Sequence, residues 1–162
     1  FEVATGDVLI ILDGDLTVPP EDIPKFHYAI ASGQGEFING SRMIYTMDAG
    51  AMRFLNQVAN HFFAKVFSYL LNQTYTDTLC GTKVLRRTHY QAIAANRIYF
   101  GDFDPFGDFD LIFGAAKLHL RVVEIPIRYA SRVYGTTQIS RFRHGFLLLR
   151  MVVFAWRKLK AL

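Results

Sequence analysis

The chain has 162 residues, about half of them hydrophobic and a fifth charged. That is enough for one domain with its own core and too apolar for a disordered polymer. Net charge is +4, and from Arg141 to Lys160 six cationic side chains stand without a carboxylate, which points to nucleic acid, a membrane surface or a phosphorylated substrate. The single Cys80 excludes an internal disulfide.

The elements follow in chain order. The opening "FEVATGDVLI" has neither the basic n-region nor the apolar core of a signal peptide. It does not read as a natural beginning either, because the first clear element is already a core strand; the expectation is that a preceding part is missing. Asp7 to Leu12, rich in Val and Ile and stopped by a turn, predicts a buried parallel strand. Pro19-Pro20-Glu21-Asp22 resembles a helix start, with prolines and acids at the positive end of the dipole. A helix over Ile23 to Ser32 follows, closed by Gly33 and Gly35. "GEFINGSRMI" predicts a second strand ending near Asn39 to Arg42.

Met52 to Leu71 carries apolar residues at spacings of three and four and predicts a long helix. "YTDTLCGTKVLRR" predicts a loop entering a strand, and "THYQAIAANRI" a short helix. "GDFDPFGDFDLIFGAAKLH" begins as an acidic turn and becomes helical from about Phe109. "LRVVEIPIRYA" predicts a strand that Pro126 marks as an edge. "SRVYGTTQISRFRHG" predicts a basic loop, and Phe146 to Leu162 a last helix. Strands alternate with helices, so the class is α/β. The domain reading is a body over 1–140 and a basic amphipathic interfacial helix over 141–162.

The first predicted strand ends on Asp13-Gly14-Asp15. In an open parallel sheet, ligands gather at the carboxyl ends of strands. Two carboxylates there can share a hard divalent cation, which keeps waters and substrate phosphates as its other ligands. The plain alternative is a turn built from turn-favouring residues.

Two families share the pattern. Asp13-Gly14-Asp15-Leu16-Thr17 fits the haloacid-dehalogenase-like phosphatases, with Asp13 as phosphorylated nucleophile and Asp15 as general acid. The later acids do not suit that family, because Asp104 and Asp108 after Gly101-Asp102 lack its spacing. The second resemblance covers about 130 residues. "LDGDLTVPPEDIPKF", "NGSRMI", "TDTLCGTKVLRR" and "VVEIPIRYASRVYGTTQIS", in that order, closely resemble the dolichol-phosphate-mannose synthase-like branch of the family 2 glycosyltransferases.

That resemblance implies a Rossmann-like nucleotide-diphospho-sugar transferase fold of GT-A type, without the first strands that cradle the base. It implies an inverting transfer of a sugar from a nucleotide-sugar donor to a polyprenyl phosphate acceptor. Asp13 and Asp15 would hold Mg²⁺ or Mn²⁺ at the donor diphosphate; Thr17 stands where related enzymes often have Gln. Arg42 and Arg53 would face phosphate, Arg42 through a guanidinium that matches phosphate oxygens with paired hydrogen bonds. Asp77 and Lys83, in the D-x-x-C-G-x-K segment, would lie under the acceptor phosphate. Asp110, with Asp108 behind it, would line the acceptor side as base or orienting carboxylate. Arg132 and Gly135 match the family's R-x-x-G-x-S-K, with Gln138 in place of Lys. The plain alternatives are a surface Arg at 42, a turn cap at Asp77 and a dipole-satisfying helix carboxylate at Asp110.

In the last helix, Arg143, Arg150 and Arg157 recur every seven residues near one face, with Trp156 as an aromatic anchor. Its apolar runs are far below the roughly 20 residues that span a bilayer. The helix suits the headgroup layer, or packing on the domain or a partner. The protein is expected at the cytoplasmic face of a membrane, peripherally or through a membrane segment outside this sequence, with no nucleic-acid partner. A membrane- or partner-binding module without activity is the third reading.

Overall fold

Four short strands and five α-helices build the part of the chain that the computed structural model describes, residues 1–45, 54–96, 109–128 and 141–160. In chain order they are β1 (Val8–Ile10), α1 (Ile23–Ala31, after a 3-10 turn at Pro20–Asp22), β2 (Phe37–Ser41), α2 (Phe54–Leu71), β3 (Lys83–Arg86), α3 (Arg87–Ala95), α4 (Phe109–Lys117), β4 (Val122–Pro126) and α5 (Arg141–Leu159). The strands form one sheet in the order β1-β3-β2-β4. β3 is antiparallel to both β1 and β2, and β4 is parallel to β2. Thus β1, β2 and β4 point the same way and end on the same side of the sheet.

Alternation along the strands sends side chains into two cores. Leu9, Phe37, Leu85 and Val122 face a large core filled by α2 to α5, including Phe67, Phe109, Phe113 and Met151. Val8, Ile10, Ile38, Val84, Val123 and Ile125 face a smaller one under α1, against Phe26 and Ile30. The result is a three-layer α/β/α arrangement. The ring of Phe67 lies 5.1 Å from that of Phe109 and 6.0 Å from that of Phe113, which pins α4 to α2. Lys25 ties α1 to β4, bonding the Pro126 carbonyl at 2.7 Å and Asp22 at 2.8 Å.

Two details differ from the sequence reading. The expected parallel strand at the start pairs antiparallel, with β3. An apolar run reports burial on both faces, and helices on both sides supply that whatever direction the neighbour takes. The last helix starts at Arg141 instead of Phe146; Gly145 only weakens a helix interior, by about 1 kcal/mol relative to Ala. The inner face of α5 packs on the body: Leu148, Met151 and Ala155 belong to the large core. Among the described residues β4 stands at one side of the sheet, the edge position inferred from Pro126.

Candidate active site

The register across the sheet sets the site. Ile11, Lys83, Asn39 and Glu124 form one cross-strand row, the next after Leu9, Leu85, Phe37 and Val122. The large core ends here and a polar layer begins, at the carboxyl ends of β1, β2 and β4. Lys83 and Asn39 are fully buried in it. Lys83 Nζ donates to the Cys80 carbonyl, curling the 80–83 segment over itself.

Beyond this row the chain turns at Asp77, whose side chain is completely buried. Its carboxylate accepts from Arg42 Nε at 2.6 Å and Arg42 Nη2 at 2.8 Å, a fork-to-fork pair. It also accepts from the Arg42 backbone N–H at 3.1 Å, from Asn60 Nδ2 at 2.9 Å and from the Leu79 N–H at 3.0 Å. Burial by itself pushes the Asp77 carboxyl up; the Arg42 charge and the bonds from Arg42 and Asn60 overcome that and hold it below the usual carboxylate range. Burial raises the Cys80 thiol, so Cys80 is a packed small residue rather than a nucleophile.

Asp13 and Asp15 stand at the open mouth. Asp13 is exposed and Asp15 half-buried. Asp15 Oδ1 accepts from the Thr17 N–H at 3.1 Å and the Thr17 hydroxyl at 2.8 Å, which closes the turn on itself. Leu16 sits in the left-handed region at φ 55°, a conformation that costs about 1 kcal/mol for such a side chain. The Asp13 carboxylate packs on Gly81 so closely that a Cβ there would lie 2.5 Å from Oδ2. Gly40 is likewise required, since a Cβ on it would meet Cys80 Sγ at 2.9 Å. These two glycines bring the 80–82 segment against both the aspartate turn and β2.

The sequence-predicted residues divide accordingly. Asp13, Asp15, Arg42, Asp77 and Lys83 gather at one end of the sheet. Asp77 and Arg42 are partners of each other there, so the phosphate role expected for Asp77 gives way to that of a buried clamp. Asp110 is half-buried in the first turn of α4, whose Phe109 is seated in the large core. Arg53, Asp108, Arg132 and Gln138 lie outside the described residues. Sequence reasoning missed Asn39, Asn60, Thr76 and Glu124, all members of the polar layer. It also missed Arg128, which follows β4 and lies over the Tyr45 ring at 6.0 Å. A polar residue at an inward strand position, as Asn39 and Glu124 are, was the available signal.

The carboxylates at the mouth supply only oxygen donors, which suit a hard divalent cation. Among the described residues no group of three or more His, Cys, Asp or Glu could hold a metal by itself. Asp13 and Asp15 therefore fit an ion that takes its remaining ligands from water and a substrate phosphate.

The family model described as Glycosyl transferase family 2 matches residues 1–94, more than half of the chain. The chain belongs to glycosyl transferase family 2. The match decides between the two readings of Asp13 to Thr17 in favour of the transferase, and the α/β fold is of the GT-A, Rossmann-like type. The chain is similar to the dolichyl-phosphate hexose transferase of Haloferax volcanii, 29% identical over 146 residues, 90% of this chain and 60% of that protein. It is 28% identical to the dolichol-phosphate mannosyltransferase of Pyrococcus furiosus over 93% of this chain and 43% of that protein. An undecaprenyl-phosphate 4-deoxy-4-formamido-L-arabinose transferase of Pseudomonas aeruginosa is also 28% identical, over 94% of this chain and 41% of its own length. The chain thus spans less than two thirds of each of these relatives.

Proposed function

We propose that the protein transfers a sugar, with inversion, from a nucleotide-diphosphate donor to a polyprenyl phosphate at a membrane surface. The observation that carries this reading is the pairing, at one sheet end, of an exposed carboxylate turn with a preset guanidinium. Asp13 and Asp15 suit a cation and diphosphate; Arg42, oriented by Asp77, suits a phosphate. The names of the relatives, which include two dolichyl-type phosphate transferases and an undecaprenyl-phosphate transferase, support the acceptor class.

In this mechanism a phosphate oxygen of the acceptor attacks the anomeric carbon, and the bond to the nucleoside diphosphate breaks with its electrons on the diphosphate. Mg²⁺ or Mn²⁺ held by Asp13 and Asp15, when bound, supplies charge neutralisation at the diphosphate. Arg42 orients phosphate, Lys83 adds positive charge beneath the site, and Arg53 and Arg132 are further phosphate contacts. A phosphate acceptor is already ionised at neutral pH, so Asp110 or Asp108 orients the acceptor more than it removes a proton.

Two helix faces support the membrane setting. α5 turns Leu148, Met151 and Ala155 inward and leaves Phe146, Leu149, Val153 and Trp156 exposed. Arg150 and Arg157 border this outer stripe, which forms a shallow groove of about 380 Å³. α2, packed against α5, likewise exposes Leu55, Val58, Phe62 and Tyr69. No helix among the described residues is long and apolar enough to cross a membrane. An apolar stripe edged by Arg suits the headgroup layer of an anionic bilayer, on the cytoplasmic face where such lipids concentrate.

The test is a donor screen on the full-length protein, by thermal shift with Mn²⁺ present, followed by sugar transfer to a polyprenyl phosphate. Stabilisation by one nucleotide sugar, and a glycosylated lipid phosphate, are expected. No response to any nucleotide sugar, with turnover of simple phosphate esters instead, would overturn the proposal.

A further inference from the structure

Glu124 has no place in the chemistry above, yet it is the most heavily bonded side chain of β4. Its Oε1 accepts from Asn39 Nδ2 at 2.9 Å and from the Asp77 N–H at 3.2 Å. Its Oε2 accepts from the Thr76 N–H at 2.8 Å and the Thr76 hydroxyl at 2.6 Å. With its proton given to Glu124, the Thr76 hydroxyl accepts from the Ser41 hydroxyl at 2.6 Å. Asn39 Nδ2 also donates to the Asp77 carbonyl at 2.6 Å. One carboxylate on β4 thus holds both backbone N–H groups of the 76–77 turn and Asn39 of β2, and reaches Ser41 through the Thr76 hydroxyl.

We infer that Glu124 is a positioning residue for Arg42, acting through the 76–77 turn. The chain of bonds has no slack. Glu124 fixes the Thr76 and Asp77 amides; Asp77 then accepts the Arg42 guanidinium at two points and the Arg42 backbone N–H at a third. A carboxylate is needed because all four partners are donors, and an ionised Glu offers acceptors only. An amide in its place sets its NH2 against the Thr76 N–H if the nitrogen takes the Oε2 position, or against the Asp77 N–H and Asn39 Nδ2 if it takes the Oε1 position. The rotation of the 76–77 turn that follows swings the Asp77 carboxylate and, with it, the guanidinium. The edge strand β4 therefore sets the direction of a cation that stands past the end of β2. Parallel pairing of β2 with β4 makes this possible, since Glu124 opposes Asn39, three residues before Arg42.

The inference rests on the proposed phosphate role of Arg42 for its consequence in turnover, but not for the geometry itself. The experiment therefore has two readouts on the full-length protein. The first is the Arg42 Nε–H resonance in arginine-labelled protein without substrate, identified by its loss in Arg42→Lys. A pair held at 2.6 Å gives a shifted, slowly exchanging signal; in Glu124→Gln that signal moves back toward free arginine and exchanges faster. The second is kinetic. Glu124→Gln raises KM for the phosphate acceptor about tenfold, as loss of an outer-shell orienting group does, and changes kcat far less. Glu124→Asp recovers part of the loss, and Glu124→Gln adds nothing in an Arg42→Lys background, because the two act as one unit.

An unchanged Nε–H signal in a Glu124→Gln protein that still melts cooperatively overturns the inference, as do losses that multiply in the double variant. If Glu124→Gln does not fold, Thr76→Val, which removes only the hydroxyl link, is read the same way with a smaller shift expected. If the wild type transfers no sugar, the proposed function fails, and the resonance alone decides the fate of Glu124.

Discussion

The two halves of the site are built on opposite principles. Both oxygens of the Asp77 carboxylate meet donors, the side chain is fully buried, and its Arg42 partner is only 12% exposed. Around Asp13 the chain is open, the carboxylate is exposed, and a left-handed Leu16 holds the turn. A sealed carboxylate with both oxygens bonded fixes geometry, because displacing one of its donors leaves a buried polar group without its bond. An open carboxylate turn fixes little by itself; under the proposed function a cation would draw its members together. The comparison separates scaffolding from ligand binding among residues that look alike as letters: Asp77 and Asp13 are both aspartates next to glycine-bearing loops.

Removing one member from each half gives the widest contrast. Asp77→Ala strands a buried guanidinium and the Asn60 amide, and is expected to cost about 3–5 kcal/mol of stability, measured by denaturant unfolding. The double change Asp13→Asn with Asp15→Asn is expected to cost no more than about 1 kcal/mol of stability, because Asp13 is exposed and an amide oxygen at position 15 can still accept from Thr17. Sugar transfer by the full-length protein should nonetheless fall by about a hundredfold or more, the loss of several kcal/mol of charge stabilisation. If the double variant unfolds more readily than Asp77→Ala, the division into sealed and open halves is wrong.

Much of this was legible in the sequence, for reasons that particular residues make plain. Apolar spacing marked α2, and the Pro-Pro-Glu-Asp run marked the start of α1, because periodicity and cap chemistry act locally. The resemblance brought Asp13, Arg42, Asp77 and Lys83 into one functional group. What it could not convey is that Asp77 is spent on Arg42, since 35 residues separate them and only the sheet brings them together. Glu124 was passed over for the same reason: its four donors come from β2 and from the loop before β3. The antiparallel entry of β3 between β1 and β2 was equally hidden, because strand order is a long-range property with no local signature.

The outer face of α5 offers a smaller contrast within one helix. Its inner stripe is core, so substitutions there are tests of folding; its outer stripe is exposed among the described residues, and the proposed function sets it against a bilayer. Arg150→Gln with Arg157→Gln is expected to leave stability unchanged and to weaken binding to anionic vesicles. At about 1 kcal/mol for each cation near the surface, the double change lowers partitioning about thirtyfold at low salt. Cosedimentation with phosphatidylserine-bearing vesicles measures it, and an effect equally large on neutral vesicles would remove the electrostatic part of the reading.

The smallest effect tests the sealed half by titration. The Asp77 carboxyl is held below its ordinary value in the folded protein, so between that lowered value and the unfolded one, near 3.9, the unfolded chain binds the extra proton. Stability therefore rises with pH through this window, is fully present above about pH 4, and is lost as acid protonates the folded carboxyl. One group contributes a slope of at most about 1.4 kcal/mol per pH unit. Asp77→Asn removes that slope below pH 4 while lowering stability at neutral pH, because the paired charge is gone. Urea unfolding of both proteins between pH 2.5 and 6 measures the difference. Parallel curves for wild type and Asp77→Asn across that range would mean that the Arg42 pair is not what keeps this carboxylate ionised.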